Sequence, residues 1–216
     1  LVSGVLRDST LSNVFASAYP FANKGRRHRL VVKEIIPWAG GAEALVVASY
    51  PGGIGPTITF FDTRYYANRH NLNVGMEATF ELAALAYAIE VVKPKPIFIT
   101  DQQSIKNFRL GTDQTDDPSP IEIRLDGAAI LMPRDDWNAD DFEFQAPVHE
   151  VEIFNALDTE ITRMTVTVAR MTNDEGEDIS LDIDLYAANR AWRSSVRPAP
   201  GADVSGLMWL QGRMIA

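Results

Sequence analysis

The sequence predicts a mostly β protein made of internally duplicated antiparallel β units with short capping helices, and three observations predict it. Apolar and polar residues alternate with a period of two, Gly and Pro turns separate the alternating runs, and residues 28 to 69 align with residues 149 to 190 without a gap. Of the 216 residues, 46% are hydrophobic and 23% charged, the balance of a folded chain rather than a disordered one.

The elements follow in chain order. Residues 1–27 form an N-terminal arm whose Leu6, Leu11, Val14, Phe15, Tyr19 and Phe21 show no clear strand register, so the arm is expected to cover some surface. Residues 28–92 form a first β unit. Its strands begin at Leu30-Val31-Val32, Leu45-Val46-Val47 and Thr57 to Phe61, with Gly40-Gly41 and Pro51-Gly52-Gly53 between them. The third strand is expected to end at Phe61, because one more inward position would bury the carboxylate of Asp62. Glu77 to Val92 is rich in Leu and Ala, yet its counterpart near the C-terminus carries Gly206 and Gly212, which disfavour helix; strand is assigned to both.

Residues 93–148 read as a connector. Ile97-Phe98-Ile99 is an edge strand, Asp101 to Phe108 a short helix capped by Asp101, and Gly111 to Pro120 a polar loop. Ile121 to Leu125 and Ala128 to Met132 are expected to pair as a hairpin through Asp126-Gly127. Residues 149–216 repeat the first unit. Val151 and Ile153, Met164 to Val168, and Ile179 to Leu185 alternate with polar neighbours, and the alignment matches His28 with His149, Tyr65 with Tyr186 and Ala67-Asn68-Arg69 with Ala188-Asn189-Arg190. A first strand, a meander and a short cap before a last strand resemble an OB-like (oligonucleotide/oligosaccharide-binding) barrel. That resemblance implies two barrels or one sandwich, and it supplies no functional residues.

Composition narrows the chemistry. Without Cys there is no disulfide, thiol nucleophile or thiolate metal site. A net charge of −9 opposes non-specific attraction to nucleic acid and anionic membranes. No run is long and apolar enough to span a bilayer as a helix, and Leu1 to Leu6 lack the basic start and apolar stretch of a secretory signal, so a cytoplasmic location is expected.

No Gly-x-Ser-x-Gly elbow, His-Glu-x-x-His pair or phosphate loop occurs, and the Asp135-Asp136 and Asp140-Asp141 pairs lack calcium-loop spacing. No catalytic residue, metal or cofactor is assigned, and the reading is non-enzymatic. The two aligned motifs are the distinctive feature. Arg64, Tyr65, Tyr66 and Arg69 in the first, and Tyr186, Arg190, Trp192, Arg193 and Arg197 in the second, interleave aromatic rings with guanidinium groups. Their packing role is favoured, with Tyr65 and Tyr186 sealing equivalent positions. A binding role would make them a surface for single-stranded nucleic acid. The function expected is a β scaffold that binds a protein partner or copies of itself through β surfaces or edges, with single-stranded nucleic acid as the alternative ligand.

Overall fold

The computed structural model describes residues 2–8, 11–38, 40–53, 55, 57–110, 117–134, 136–156, 158–172 and 176–215; for residues 2–17 and 53 it describes the backbone alone. The polar-loop expectation at 111–116 lies outside the described residues. Among the described residues there are thirteen strands and two short α-helices. β1 (Val2–Asp8) and β2 (Leu11–Tyr19) pair with each other, so the arm is a hairpin rather than an unregistered segment.

The first meander is β3 (Arg26–Pro37), β4 (Ala44–Ser49) and β5 (Ile58–Asp62); the helical turn α1 (Tyr65–Asn68) then leads to β6 (Glu77–Val92). Next come β7 (Ile97–Ile99), α2 (Gln102–Phe108), β8 (Ile121–Ile123) and β9 (Ile130–Pro133). The second meander is β10 (Asp141–Ala156), β11 (Thr159–Thr172) and β12 (Asp178–Ala188), and the last strand is β13 (Asp203–Met214). β10 thus begins inside the stretch read as connector.

Among the described residues nine strands share one mixed sheet whose pairings close on themselves twice. One closed path runs β3-β4-β5-β13-β6 and the other β10-β11-β12-β6-β13. The antiparallel β6–β13 pair belongs to both. Each meander closes by a parallel contact with the other half's last strand, β5 with β13 and β12 with β6. Closure leaves few unpaired edges, and it buries the inward faces against one another. Phe60, Phe80, Leu82, Phe144, Met164, Leu181, Ile183 and Leu185 lie within that single apolar core.

Matching hydrogen bonds relate the halves. Val32 N donates to Met76 O (2.9 Å) and Val32 O accepts from Gly75 N (2.8 Å); Val148 N donates to Ala202 O (2.9 Å) and Val148 O accepts from Gly201 N (2.8 Å). Each of these valines is also followed by a bulge, at Val32/Glu34 and Val148/Glu150. Val32 therefore corresponds to Val148, and the gapless alignment does not hold along the meander. His28 has no counterpart in His149, and Ile153, expected inward, is 55% exposed.

In β4 the core side is Val46 and Ala48; with every position apolar, alternation could not fix the phase. β5 runs through Asp62, contrary to expectation, and Asp62 is buried. The expected 121–132 hairpin is also absent. The turn forms, with Ala128 N donating to Leu125 O (3.0 Å), but β8 pairs with β7 while β9 pairs with β10. α2 has the expected cap, Asp101 Oδ2 accepting from Ser104 N at 2.8 Å. No helix among the described residues is long and apolar enough to cross a membrane.

Candidate functional site

The two aromatic/arginine motifs lie at different ends of the β6–β13 pair. Thr63 N, beside the first motif, donates to Gly212 O, whereas Arg193 N donates to Ile89 O, the partner of Gly206. Gly206 and Gly212 are roughly 20 Å apart at about 3.3 Å per strand residue. The motifs therefore do not merge.

Within the first, the Arg69 guanidinium lies 4.5 Å from the Tyr66 ring centre and donates to Gly41 O, while Arg64 N donates to Asp62 Oδ1. Tyr65 sits in α1, half-buried against the core. Within the second, Arg197 covers the Trp192 ring at 4.8 Å and donates to Asn189 Oδ1 at 2.6 Å, Arg193 lies 3.7 Å from Glu90, and Arg190 is exposed. Tyr186 is on β12, so it does not occupy Tyr65's position. Its hydroxyl donates to Lys24 O (3.3 Å) and its ring meets Phe154 edge-on. Tyr186→Ala is expected to cost roughly 2 kcal/mol, less than a fully buried ring, in thermal melts.

Sequence reasoning missed a polar chain in which the first meander meets the second. His28 Nε2 lies 2.7 Å from Asp182 O, which can only accept, so Nε2 carries the proton and Nδ1 accepts from the Tyr50 hydroxyl at 2.8 Å. Asp182 Oδ1 accepts from Thr167 Oγ1 (2.6 Å), leaving that oxygen to accept from His149 Nε2 (2.6 Å). Burial pushes His28 down and Tyr50 up to about 12, so both are neutral near pH 7. Beside this chain Arg26 holds Asp184 (3.0 Å) and Glu150 (2.7 Å). Arg27 likewise pairs with Glu81, and Arg29 with Glu77.

Two buried carboxylates stand apart. Asp62 has one oxygen without a partner among the described residues, and burial pushes it up to about 6. Asp140 accepts from the Trp209 indole at 2.5 Å, and burial raises it too. Between them Phe61, 1% exposed on the outer side of β5, is enclosed by Tyr19, Trp38 and Trp209 at ring separations of 4.8–5.5 Å. The end of the arm is held there as well, Tyr19 donating to Thr63 O and Gln211 bonding Pro20 O and Ala22 N.

Two regions stay open. A cavity of about 670 Å³ lies between the two meanders and the β9 segment, with Tyr50, Leu131, Trp137, Phe142, Arg170 and Leu181 among its walls. The connector exposes Ile97, Phe98, Phe108 and Leu110 on β7, α2 and the turn after it.

No protein-family model and no curated protein matches the chain. Among solved structures it is similar to the cytoplasmic molybdate-binding protein ModG, crystallised with molybdate bound, at 16% identity and a TM-score of 0.32, over 88% of this chain and 97% of that one.

Proposed function

We propose that the protein is a non-enzymatic scaffold that binds a protein partner, or further copies of itself, through β modules displayed beside its core. The observation that supports this reading is where the exposed apolar side chains gather. Phe98, Phe108 and Leu110 are 57%, 58% and 72% exposed on a module whose strands, β7 and β8, pair only with each other among the described residues. Large apolar side chains held out on an ordered element beside a full core mark an interaction surface. The closed pairings of the core favour the same reading, because among the described residues they leave β1–β2, β7–β8, β9 and the end of β11 with an edge that carries no ladder.

We also infer that each closed path is an OB-like barrel and that the halves arose by duplication, with their last strands exchanged. The paired bonds at Val32 and Val148, and the two parallel closures, support this.

Multi-angle light scattering tests the functional reading. The parent is expected to exceed the 23.9 kDa of one chain as concentration rises, and a Phe98→Ser/Phe108→Ser double variant to stay at that mass. A parent that is monomeric at every concentration removes the self-assembly form and leaves only the heterologous partner. Salt-dependent oligonucleotide binding that is lost with Arg193→Ala and Arg197→Ala would instead support the nucleic-acid alternative.

A further inference from the structure

β10 serves two neighbours in succession along the flank opposite β13. Phe142 to Gln145 lie beside β9, and Val148 to Ala156 lie beside β11. The two neighbours then diverge. β11 continues past Val166 to Thr172, and over that stretch β12 is its one strand partner among the described residues. β9 likewise has β10 alone. Two strand edges with no ladder on one side therefore border a common gap, and the cavity of about 670 Å³ fills it, walled by Leu131 and Pro133 on one side and by Val168 to Met171 on the other.

The gap has a chemical character. Its floor is apolar, formed by Phe142 and Leu181, which belong to the core. The charged residues among its described walls are Arg134, which pairs with Asp136 at 3.1 Å, and Arg170, which has no carboxylate partner among the described residues, so the rim keeps a net positive charge on a chain of net charge −9. Arg170 Nη1 donates to Gly127 O at 2.8 Å, which ties the end of β11 to the turn before β9 and bounds the gap. Arg134 lies 4.6 Å from the Trp137 ring centre, fixing both side chains along the wall.

We infer that this slot binds an extended segment of a partner protein as an added strand, with one apolar side chain entering the cavity and flanking carboxylates meeting Arg134 and Arg170. Open edges supply main-chain donors and acceptors that a peptide backbone satisfies, and the pocket between them selects a side chain. The two arginines set the sign of the flanks, since a lysine-flanked segment would meet like charge there. The inference rests on the protein-partner reading above and gives that partner a site and a chemistry.

The test uses three synthetic peptides with the full chain: Glu-Thr-Val-Leu-Val-Thr-Glu, its analogue with Lys for both Glu, and the first peptide N-methylated at alternate amides, all with blocked ends. Isothermal titration gives affinities, and amide hydrogen exchange locates the contact. The Glu-flanked peptide is expected to bind about tenfold more tightly than the Lys-flanked one, and to slow exchange at Ile130 to Leu131 or at Ala169 to Met171. N-methylation is expected to weaken binding by about tenfold or more, and Arg170→Glu or Arg134→Glu to reverse the charge preference. Ala129→Trp, which fills the slot without removing a core side chain, is expected to block binding while the thermal melt is retained. Equal binding by the N-methylated peptide overturns the inference, because the cavity then takes an apolar group without strand addition. So does the absence of charge preference, of protection at those amides, or of any peptide binding. Failure here leaves the light-scattering result on the connector untouched, and failure of the connector variants leaves the slot titrations untouched.

Discussion

Asp62→Asn is expected to abolish a pH-dependent loss of stability of about 3 kcal/mol that the parent carries. The carboxyl is held near 6 in the folded protein against 3.8 unfolded, chiefly by burial, with Arg64 opposing. Below the unfolded value both states are protonated and the group costs nothing. As pH rises toward 6, the unfolded chain releases a proton that the folded chain keeps, so stability falls; above 6 the folded protein holds a buried charge, one oxygen of which has no partner among the described residues. A difference of roughly two pKa units at about 1.36 kcal/mol each sets the size, and roughly 2 kcal/mol of it falls between about pH 4.5 and about pH 7.5. Asn keeps an oxygen to accept from Arg64 N. Asp101, Asp117, Asp136 and Glu150 are shifted in the opposite sense, but they are present in both proteins and cancel in the difference. Urea melts of parent and variant at the two pH values measure it; parallel pH profiles would show that Asp62 is not the group responsible.

Gly206→Ala is expected to destabilise by on the order of 3 kcal/mol, at the upper end of overpacking effects. A Cβ at Gly206 would overlap the carbonyl oxygen of Ala88 and press on Cα of Ile89 at 2.9 Å, and both are backbone of the facing strand. A flexible side chain can turn aside, whereas a paired backbone cannot move without breaking its ladder. The break would fall in β6–β13, the pair common to both closed paths. Gly40→Ala, where a Cβ meets nothing, is the control expected to melt with the parent. An unchanged melting temperature for Gly206→Ala would mean that the strand pair can spread at this point.

Legibility of the sequence followed the strength of the alternation. Ile179, Leu181, Ile183 and Leu185, each separated by a polar residue, gave β12 its face as well as its existence. Leu45 to Ala48 indicated a strand but not its phase, because nothing polar interrupts the run. The bulges after Val32 and Val148 carry no marker in sequence, and at matching places they shift both halves alike. The gapless alignment paired His28 with the wrong residue because it set Val32 against Ile153, whereas the backbone bonds match Val32 with Val148. Asp62 was expected outside because an inward carboxylate is costly; the fold accepts that cost and stores it as a raised pKa. For the site, the aromatic and arginine residues were visible one by one, but their separation along β13 was not. Neither the His28–Tyr50 bond nor the slot beside β9 had any local signature, since both arise where distant strands diverge or cross.

The parallel closures of β5 on β13 and of β12 on β6 also have a temporal side. On a ribosome, β3, β4 and β5 emerge long before β13, the strand that closes their path and follows them by more than a hundred residues. Until Asp203 to Met214 are released, the first half waits with two open edges, one on β5 and one on β6. Folding must therefore be largely post-translational and slow, as contacts so distant in sequence dictate. During that interval the nascent chain is exposed to pairing with its neighbours. A chain cut short before β13 would leave neither half able to close, and would accumulate as aggregate rather than as a smaller folded protein.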